Sequence, residues 1–234
     1  TMVASGAFDA NAARYDEWFE RHPFAYLSEL LALRAFVPCG GRGLEIGVGG
    51  GRFAAPLGIA TGVDPAPAML ALAAARGVKA VRGRAEALPF AAASFDHALA
   101  VTTLCFVDSP PHMLTEARRV LRPGGRLVIG FIDRASPPGR EYVARSAASA
   151  FYRDALGLPE LESYAGDDGA KVSILSVPAA TLELSNPAQV RLIDAVEVVD
   201  DRDGADVRRN LDDVALAGLF GSSELFVIEV GVRT

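Results

Sequence analysis

One glycine-rich stretch, residues 43–51, constrains the fold of this chain more than any other feature. Its sequence, GLEIGVGGG, begins as an apolar run of strand length and then places four glycines within five residues. Such a turn needs backbone freedom and lets a ligand approach the main chain closely. Residues 52–57 are expected to begin a helix whose free N–H groups point at that ligand. The stretch therefore predicts a strand, a glycine turn and a helix N-terminus around a nucleotide-type pocket.

The spacing of the glycines narrows the ligand that this pocket would hold. A dinucleotide fingerprint has the form G-x-G-x-x-G, and counted from Gly47 and Gly49 its third glycine would fall at Arg52. The pattern present is instead Glu45-x-Gly47-x-Gly49-x-Gly51. An NAD-dependent oxidoreductase therefore fits this loop imperfectly, although it stays an alternative.

Short apolar runs alternate with helix-type runs through the first 134 residues. The strand-type runs are 43–46, 61–64, 78–81, 94–103 and 126–130, and helix-type runs include 66–76 and 112–121. This alternation predicts an α/β fold with a parallel, doubly wound sheet. Ligands of such sheets bind at the carboxyl ends of the strands, which places Ala100, Val101 and Thr102 near the ligand.

Asp64 ends the second predicted strand and has two interpretations. It lies 17 positions beyond Gly47 (64 − 47), close to the ~20-residue offset at which a strand-end carboxylate accepts hydrogen bonds from a ribose diol. Because a proline follows it, Asp64 could equally be the N-cap of the next helix. The glycine loop next to it favours the ribose interpretation.

Several of these motifs, in this order, resemble those of the class I S-adenosylmethionine-dependent methyltransferases. The glycine pattern resembles their motif I, and the phrase YDEWF from Tyr15 resembles the entry segment of their N-terminal helical cap. The phrase RAEALPF from Arg84 resembles their adenine loop, although Arg84 stands where an acid often meets the exocyclic amine. LRPGG, ahead of the fifth strand, is frequent in small-molecule members related to the ubiquinone and menaquinone biosynthesis enzymes.

The resemblance implies a Rossmann-like fold, with a mostly parallel sheet, an antiparallel C-terminal strand and a helical N-terminal cap. It also implies S-adenosylmethionine as cofactor, S-adenosylhomocysteine as product and a small molecule as methyl acceptor. The cofactor-binding residues that it predicts are Tyr15, Glu45, Gly47, Gly49, Gly51, Asp64, Ala85, Glu86, Ala100, Val101 and Thr102.

In that family the reaction is an in-line displacement at the methyl carbon by an O, N, S or C atom, for which a dedicated base is optional. The candidates for a catalytic role are His22 and Tyr15. His22 precedes Pro23, and a histidine in that position is more often a helix-end residue than a base. The substrate-side candidates are Trp18, Arg134 and Tyr142; Trp18 could equally pack the cap, and Arg134 could equally be a surface arginine.

The predicted organisation is a single methyltransferase domain over residues 1–234. Residues 1–36 form the cap, which Pro23 divides into two helices, and 37–134 form the cofactor-binding core. Residues 135–234 contain a loop at 136–139, a helix over 140–156, apolar runs at 171–184, 190–199 and 225–232, and a helical stretch at 211–220. We expect them to supply a substrate-side insertion and the sheet-closing strands, the last of them 225–232. Whether they form a lid or a homodimer contact stays open.

Composition limits the partners and the compartment. The net charge of −6 and pI near 5.1 argue against nucleic acid. Cys39 and Cys105 are far apart and lack metal-ligand spacing, so we expect two free thiols, no metal and a reducing, cytoplasmic compartment. No apolar run reaches about 18 residues and no signal pattern is present, so no membrane span is expected.

A non-catalytic S-adenosylmethionine- or nucleotide-binding protein remains the main alternative to an enzyme.

Overall fold

The structure, a computed structural model, describes residues 3–34, 36–132, 134, 137–145, 172–176, 197–199 and 226–231. Within these residues one sheet has the strand order β3-β2-β1-β4-β5-β8-β6-β7. The strands are β1 (Gly43–Ile46), β2 (Thr61–Asp64), β3 (Lys79–Arg82), β4 (Phe95–Val101), β5 (Leu121–Phe131), β6 (Val172–Ser176), β7 (Glu197–Val199) and β8 (Phe226–Gly231).

The first five strands confirm the predicted fold class. β3, β2, β1, β4 and β5 are parallel neighbours, and helices separate several of them along the chain. β8 pairs antiparallel with β5 and with β6, and β6 pairs antiparallel with β7. Strand order runs in opposite directions on the two sides of β1 and β4, so a crevice opens at their carboxyl ends.

Six helices accompany the sheet in the described part of the chain. They are α1 (Val3–Ala10), α2 (Ala12–Arg21), α3 (Pro23–Arg34), α4 (Pro67–Ala75), α5 (Pro110–Val120) and α6 (Pro137–Arg145). Pro23 is the first residue of α3, where its fixed φ suits a helix start and its missing N–H costs nothing. The predicted division of the cap at Pro23 is therefore observed.

The central strand β4 shows how the two faces of the sheet are covered. Ala98 and Ala100 belong to the apolar cluster that includes the buried side of α5. Leu99 and Val101 belong to the opposite cluster, which includes residues of α2, α3 and α4. Successive strand residues point to opposite faces, so alternate β4 side chains enter two different cores.

The prediction of a helix over residues 52–57 is wrong. This segment consists of turns, with backbone hydrogen bonds from Ala55 N to Gly51 O and from Leu57 N to Phe53 O. Pro56 lacks an N–H and its ring would clash with the carbonyl of the residue four positions earlier, so a regular helix cannot continue through it. That carbonyl, on Arg52, instead accepts a hydrogen bond from the Tyr26 hydroxyl.

The LRPGG phrase is not a separate turn before a strand but a bulge inside β5. Phe95 pairs with Leu121, and His97 pairs with Arg126, so four residues of β5 lie opposite Asp96 alone. Gly124 within the bulge has φ +77°, which glycine adopts without strain.

The later predictions are met in part by the described residues. α6 begins at Pro137, earlier than expected, because prolines are well tolerated in a first helical turn. β6, β7 and β8 fall within the three predicted apolar runs. The helical stretch at 211–220, and the predicted helix beyond Arg145, lie outside the described residues. No described helix is long and apolar enough to span a membrane.

Candidate active site

A pocket opens at the carboxyl ends of β1, β2 and β4, beside the crevice that the strand order creates. Helices α1 and α2 and the 3-10 helix Leu104–Phe106 contribute to its cover. The residues that line it are Phe8, Tyr15, Gly47, Gly49, Val63, Asp64, Pro65, Met69, Gly83, Arg84, Ala85, Glu86, Val101, Thr102, Thr103, Phe106, Val107 and Asp108. The structure thus brings eight of the predicted cofactor residues together: Tyr15, Gly47, Gly49, Asp64, Ala85, Glu86, Val101 and Thr102.

Gly47 and Gly49 form the floor of the pocket in the left-handed backbone region, with φ of +73° and +49°. The Gly47 N–H donates to Val63 O at 2.8 Å, which joins the loop to β2. A Cβ on Gly47 would lie only 2.3 Å from Thr103 Oγ1, and that hydroxyl donates to Ile46 O at the end of β1. Gly47 is therefore required both by its conformation and by the close approach of Thr103.

Gly51 does not line the pocket, contrary to the prediction. A Cβ built on it would lie 3.1 Å from the Cα of Ala73, in α4, and 3.3 Å from Val78 Cγ2. With φ +77° it allows the loop to pack closely on α4. Its role is the close packing that a dinucleotide fingerprint assigns to its third glycine, here moved by one position.

Glu45 is also absent from the lining, because it is fully buried within β1. Burial raises the pKa of this carboxyl well above its usual range, and the hydrogen bond from the Ala54 N–H opposes that rise. Its Oε2 atom has no hydrogen-bond partner among the described residues. A buried acceptor of this kind is costly unless a donor reaches it.

Asp64 occupies the pocket wall at the end of β2. Its Oδ2 accepts the Gly49 N–H at 3.0 Å, and its Oδ1 accepts the Ala66 N–H at 2.9 Å. Burial raises the pKa of Asp64, and the two N–H donors oppose that rise. The N-cap of α4 is Ala66, so the strict N-cap interpretation of Asp64 is wrong. Asp64 organises the turn before the helix while it faces the pocket.

Two loops are tied together beside the pocket. Arg84 Nη2 donates to Asp108 Oδ2 at 2.5 Å, and the Asp108 N–H donates to Glu86 Oε1 at 2.7 Å. The segment after β3 is thereby joined to the segment before α5. Arg84 stands where the resemblance leads one to expect an acid. It forms an ion pair with Asp108 across this junction.

At the end of β4 only two of the three predicted residues line the pocket. Ala100 points into the core with α5, because side chains alternate along the strand. Thr102 has φ +49°, which is rare for a β-branched residue, and its N–H donates to Gly130 O at 2.7 Å. Strained backbone of this kind is concentrated at functional sites.

Three aromatic side chains cover the pocket. Phe8 contacts Phe106 edge to face at 4.9 Å between ring centroids, and it contacts Tyr15 in the same way at 5.4 Å. Burial, followed by the nearby Glu29 carboxyl, raises the pKa of Tyr15. A phenol held protonated suits a hydrogen-bond donor, so Tyr15 lies where a lid contact was predicted but is not suited to act as a base.

Three of the other catalytic and substrate-side candidates, His22, Trp18 and Arg134, lie outside the lining. His22 is the exposed C-cap of α2; its Nδ1 bonds to Trp18 O at 2.9 Å and its ring stacks on Trp18 at 4.7 Å. Trp18 packs with Phe19 inside the cap. Arg134 is exposed in a turn after β5. The Tyr142 side chain lies outside the described part of the structure.

Sequence reasoning missed several lining residues, and some of them carried a usable signal. Gly83 directly follows β3 and Thr103 lies just beyond β4, so the carboxyl-end rule applies to both. Asp108, a polar residue shortly before α5, could have been found in the same way. Phe8 and Phe106 gave no local signal, because their place depends on how the cap docks.

Comparison with known proteins assigns this arrangement to a family. A model described as "Methyltransferase domain" matches residues 44–129. An uncharacterized protein of Methanocaldococcus jannaschii is 46% identical over 148 residues, which cover 63% of this chain and 72% of that protein. A ubiquinone/menaquinone biosynthesis C-methyltransferase of Paracoccus denitrificans is 53% identical over 49 residues, 21% of this chain and 20% of that protein.

A solved structure extends the likeness well beyond the residues that the family model matches. It is a SAM-dependent methyltransferase of Thermotoga maritima, reported as a possible histamine N-methyltransferase. It is 37% identical, with a TM-score of 0.77 over 97% of this chain and 98% of that one. This chain therefore belongs to the S-adenosylmethionine-dependent methyltransferases. The resemblance read from the motifs is confirmed, and the oxidoreductase and non-catalytic alternatives are set aside.

Proposed function

We propose that this chain transfers the methyl group of S-adenosylmethionine to a small molecule. The observation that carries the proposal is the aromatic cover of Phe8, Tyr15 and Phe106, which contributes to a roof over the glycine floor. A covered pocket suits a small acceptor better than a polymer. The net charge of −6 also disfavours nucleic acid.

The pocket residues fit S-adenosylmethionine. A Cβ on Gly49 would meet nothing nearer than Tyr15 Cε1 at 3.9 Å, so the missing side chain leaves room for a ligand over the loop. We assign the ribose diol to the Asp64 carboxylate, and the adenine to the segment containing Ala85 and Glu86.

When bound, the cofactor supplies a methyl group on a positively charged sulfur, which is intrinsically reactive. The chain then has to align the acceptor and exclude water, and correct alignment can account for much of the rate. Phe8 and Phe106 present apolar surface to the pocket. Tyr15 offers a protonated hydroxyl that can orient an acceptor by donating a hydrogen bond.

A basic amine is the acceptor class that we would test first. Apart from Asp64, which is assigned to the ribose, the lining carries two carboxylates, Glu86 and Asp108, against one guanidinium, Arg84. This balance favours a cationic ligand over an anionic one. The likeness to the Thermotoga protein, a possible histamine N-methyltransferase, points in the same direction.

Two further expectations remain proposals. Residues 1–234 are proposed to act as a single methyltransferase domain, with 1–36 as its cap, 37–134 as its cofactor-binding core and 135–234 as its substrate side; a homodimer contact through the last part stays open. A cytoplasmic location is proposed from the cysteines. Cys39 and Cys105 are free thiols, in keeping with a reducing compartment.

The proposed activity is tested by incubating the protein with S-adenosylmethionine and a panel of amines, phenols and thiols. The expected result is release of S-adenosylhomocysteine, with a mass gain of one methyl group on an amine. Methylation confined to phenols or thiols would contradict the amine assignment. Methylation of nucleic acid or protein alone would contradict the small-molecule proposal.

The cofactor assignment predicts that Asp64→Asn weakens S-adenosylhomocysteine binding. Loss of the charge that accepts the diol is expected to raise the dissociation constant about tenfold to a hundredfold, by isothermal titration. The matched control is Asp9→Asn, because Asp9 Oδ1 likewise accepts a backbone N–H near the start of α4, from Ala68 at 2.8 Å, yet does not line the pocket. An Asp64→Asn variant that binds as tightly as the control would disprove the assignment.

A further inference from the structure

The α2 residue Asp16 lies at the centre of a charged cluster behind the glycine loop. Its carboxylate accepts hydrogen bonds from Arg52 Nε at 2.8 Å and from Arg52 Nη2 at 2.7 Å. It also accepts one from Arg76 Nη2 at 2.6 Å, and Arg76 Nη1 donates to Gly50 O at 2.7 Å. One carboxylate thus links the cap to the glycine loop and to the end of α4.

This cluster is largely withdrawn from water. The exposed fraction of the side chain is 16% for Asp16, 14% for Arg52 and 26% for Arg76. Burial alone would raise the pKa of Asp16, but the hydrogen bonds from Arg52 and Arg76 outweigh burial and lower it. A shielded, bidentate arginine–carboxylate pair is stronger and better oriented than an exposed surface pair.

Arg52 is held from the cap side as well. Its guanidinium lies over the Phe19 ring, 5.4 Å from the centroid, and its Nη1 donates to Glu20 Oε1 at 2.6 Å. Its carbonyl accepts the Tyr26 hydroxyl. The arginine that interrupts a dinucleotide fingerprint is therefore a fixed anchor for α2 and α3.

Neighbouring residues of α2 face neighbouring glycines of the loop. Tyr15 Cε1 would lie 3.9 Å from a Cβ on Gly49, and Asp16 Oδ1 would lie 3.0 Å from a Cβ on Gly50. The same Gly50 Cβ would come within 3.1 Å of Arg76 Nη1. Because Tyr15 and Asp16 are consecutive on one helix, the contacts of Asp16 fix the height of Tyr15 above the pocket.

We propose that Asp16 is a positioning residue for cofactor binding, although it does not touch the pocket. It clamps α2 against the glycine loop and so holds Tyr15 over Gly49. This role rests on the proposed use of the pocket for S-adenosylmethionine. Loss of the clamp removes no lining side chain but lets α2, and Tyr15 with it, move away from the glycine loop, so it weakens binding and raises solvent access to the cap.

The test compares Asp16→Asn with Glu17→Gln, a matched loss of charge at the next, exposed position of α2. Isothermal titration measures S-adenosylhomocysteine binding, and urea unfolding measures stability. Trp18, the single tryptophan of the chain, reports on α2 through quenching of its fluorescence by acrylamide. In Asp16→Asn we expect a dissociation constant raised about tenfold and stronger quenching. Glu17→Gln is expected to match the wild type.

A second variant, Arg76→Gln, removes the contacts to Asp16 and Gly50 but keeps the bidentate Arg52 pair. It is expected to weaken binding in the same direction and to a smaller extent, and it keeps the test decisive if Asp16→Asn does not fold. Unchanged binding in either folded variant, with only lower stability, would overturn the positioning role. A wild-type protein that fails to bind S-adenosylhomocysteine would overturn the cofactor site and this proposal together.

Discussion

Single residues of the site are chosen by close contacts as much as by the ligand. A side chain is excluded at Gly47 by Thr103, at Gly50 by Asp16 and at Gly51 by Ala73. Among the four glycines of this loop, only Gly49 has open space where a Cβ would lie. Three of the four glycines in this loop are thus required by close neighbours within the protein, and Gly49 is the one that leaves room for a ligand. Each can be tested by adding one methyl group.

Gly47→Ala is expected to lower the free energy of unfolding by about 2–4 kcal/mol, because it combines a left-handed φ with a clash against Thr103 Oγ1. The matched control is Gly58→Ala, where φ is +72° and nothing lies within 4 Å of the added Cβ. That variant should cost only the backbone term, about 1–2 kcal/mol. Equal losses in urea unfolding would show that the contact with Thr103 is relieved easily.

The burial of His97 predicts that part of the free energy of unfolding is lost as the pH decreases. This residue is 3% exposed, and its Nδ1 has no partner among the described residues. Burial lowers its pKa from the ordinary 6.5, and the nearby Asp96 only opposes that change. Below about pH 6.5 the unfolded chain therefore binds a proton that the folded chain still refuses, and the free energy of unfolding falls as pH decreases.

The measurement is urea unfolding between pH 7.5 and the onset of acid denaturation, for the wild type and for His97→Gln. The variant should lose the part of the slope that begins near pH 6.5. A slope of the same size in both proteins would assign the acid sensitivity to other groups.

At the scale of elements, α5 does more than cover one face of the sheet. Arg119 donates to Phe90 O at 2.8 Å and to Leu88 O at 2.9 Å, and Glu116 accepts the Leu88 N–H at 2.8 Å. Glu116 and Arg119 also pair with each other. The polar edge of this helix therefore holds the end of the loop that carries Ala85 and Glu86.

Arg119→Met keeps the length of the side chain but leaves two carbonyls and Glu116 without their donor. The expected loss in free energy of unfolding is about 1.5–3 kcal/mol, the range for hydrogen bonds to charged groups. Arg14→Met, at an exposed position of α2, serves as the control and should stay within about 0.5 kcal/mol of the wild type. If both variants unfold at the same urea concentration, α5 does not hold this loop.

At the scale of the whole molecule, the pocket joins elements that are distant in sequence. It draws on the cap, the glycine loop, the segment after β3 and the segment after β4. A ligand that touches all four should stabilise the fold as a unit. S-adenosylhomocysteine at about 100 times its dissociation constant is expected to add roughly 2.7 kcal/mol.

For a domain of this size that gain corresponds to an unfolding midpoint raised by about 5–10 °C, measured by calorimetry or circular dichroism. NAD at the same concentration is expected to leave the midpoint unchanged. A rise with NAD alone would conflict with the family assignment.

Residue patterns alone predict the order of the elements and the edge of the sheet that binds the ligand. Alternating apolar and helical runs predict parallel strands, and strand ends that carry glycine or an acid mark the same edge whatever the packing. Asp64, Gly47 and Thr102 were accessible in this way because their roles follow from local position. The effect of Pro56 is also local and could have been predicted from the sequence, but the prediction of a helix over residues 52–57 did not take it into account.

The packing of the elements against one another determines which of those residues face the ligand. Glu45, Gly51 and Ala100 belong to the motifs yet point into packed cores, since side-chain direction depends on the neighbouring layers. The clamp joins Asp16 to Arg52 and Arg76 across 36 and 60 positions. Contacts over such separations come from the docking of whole elements, and no local pattern of residues encodes them.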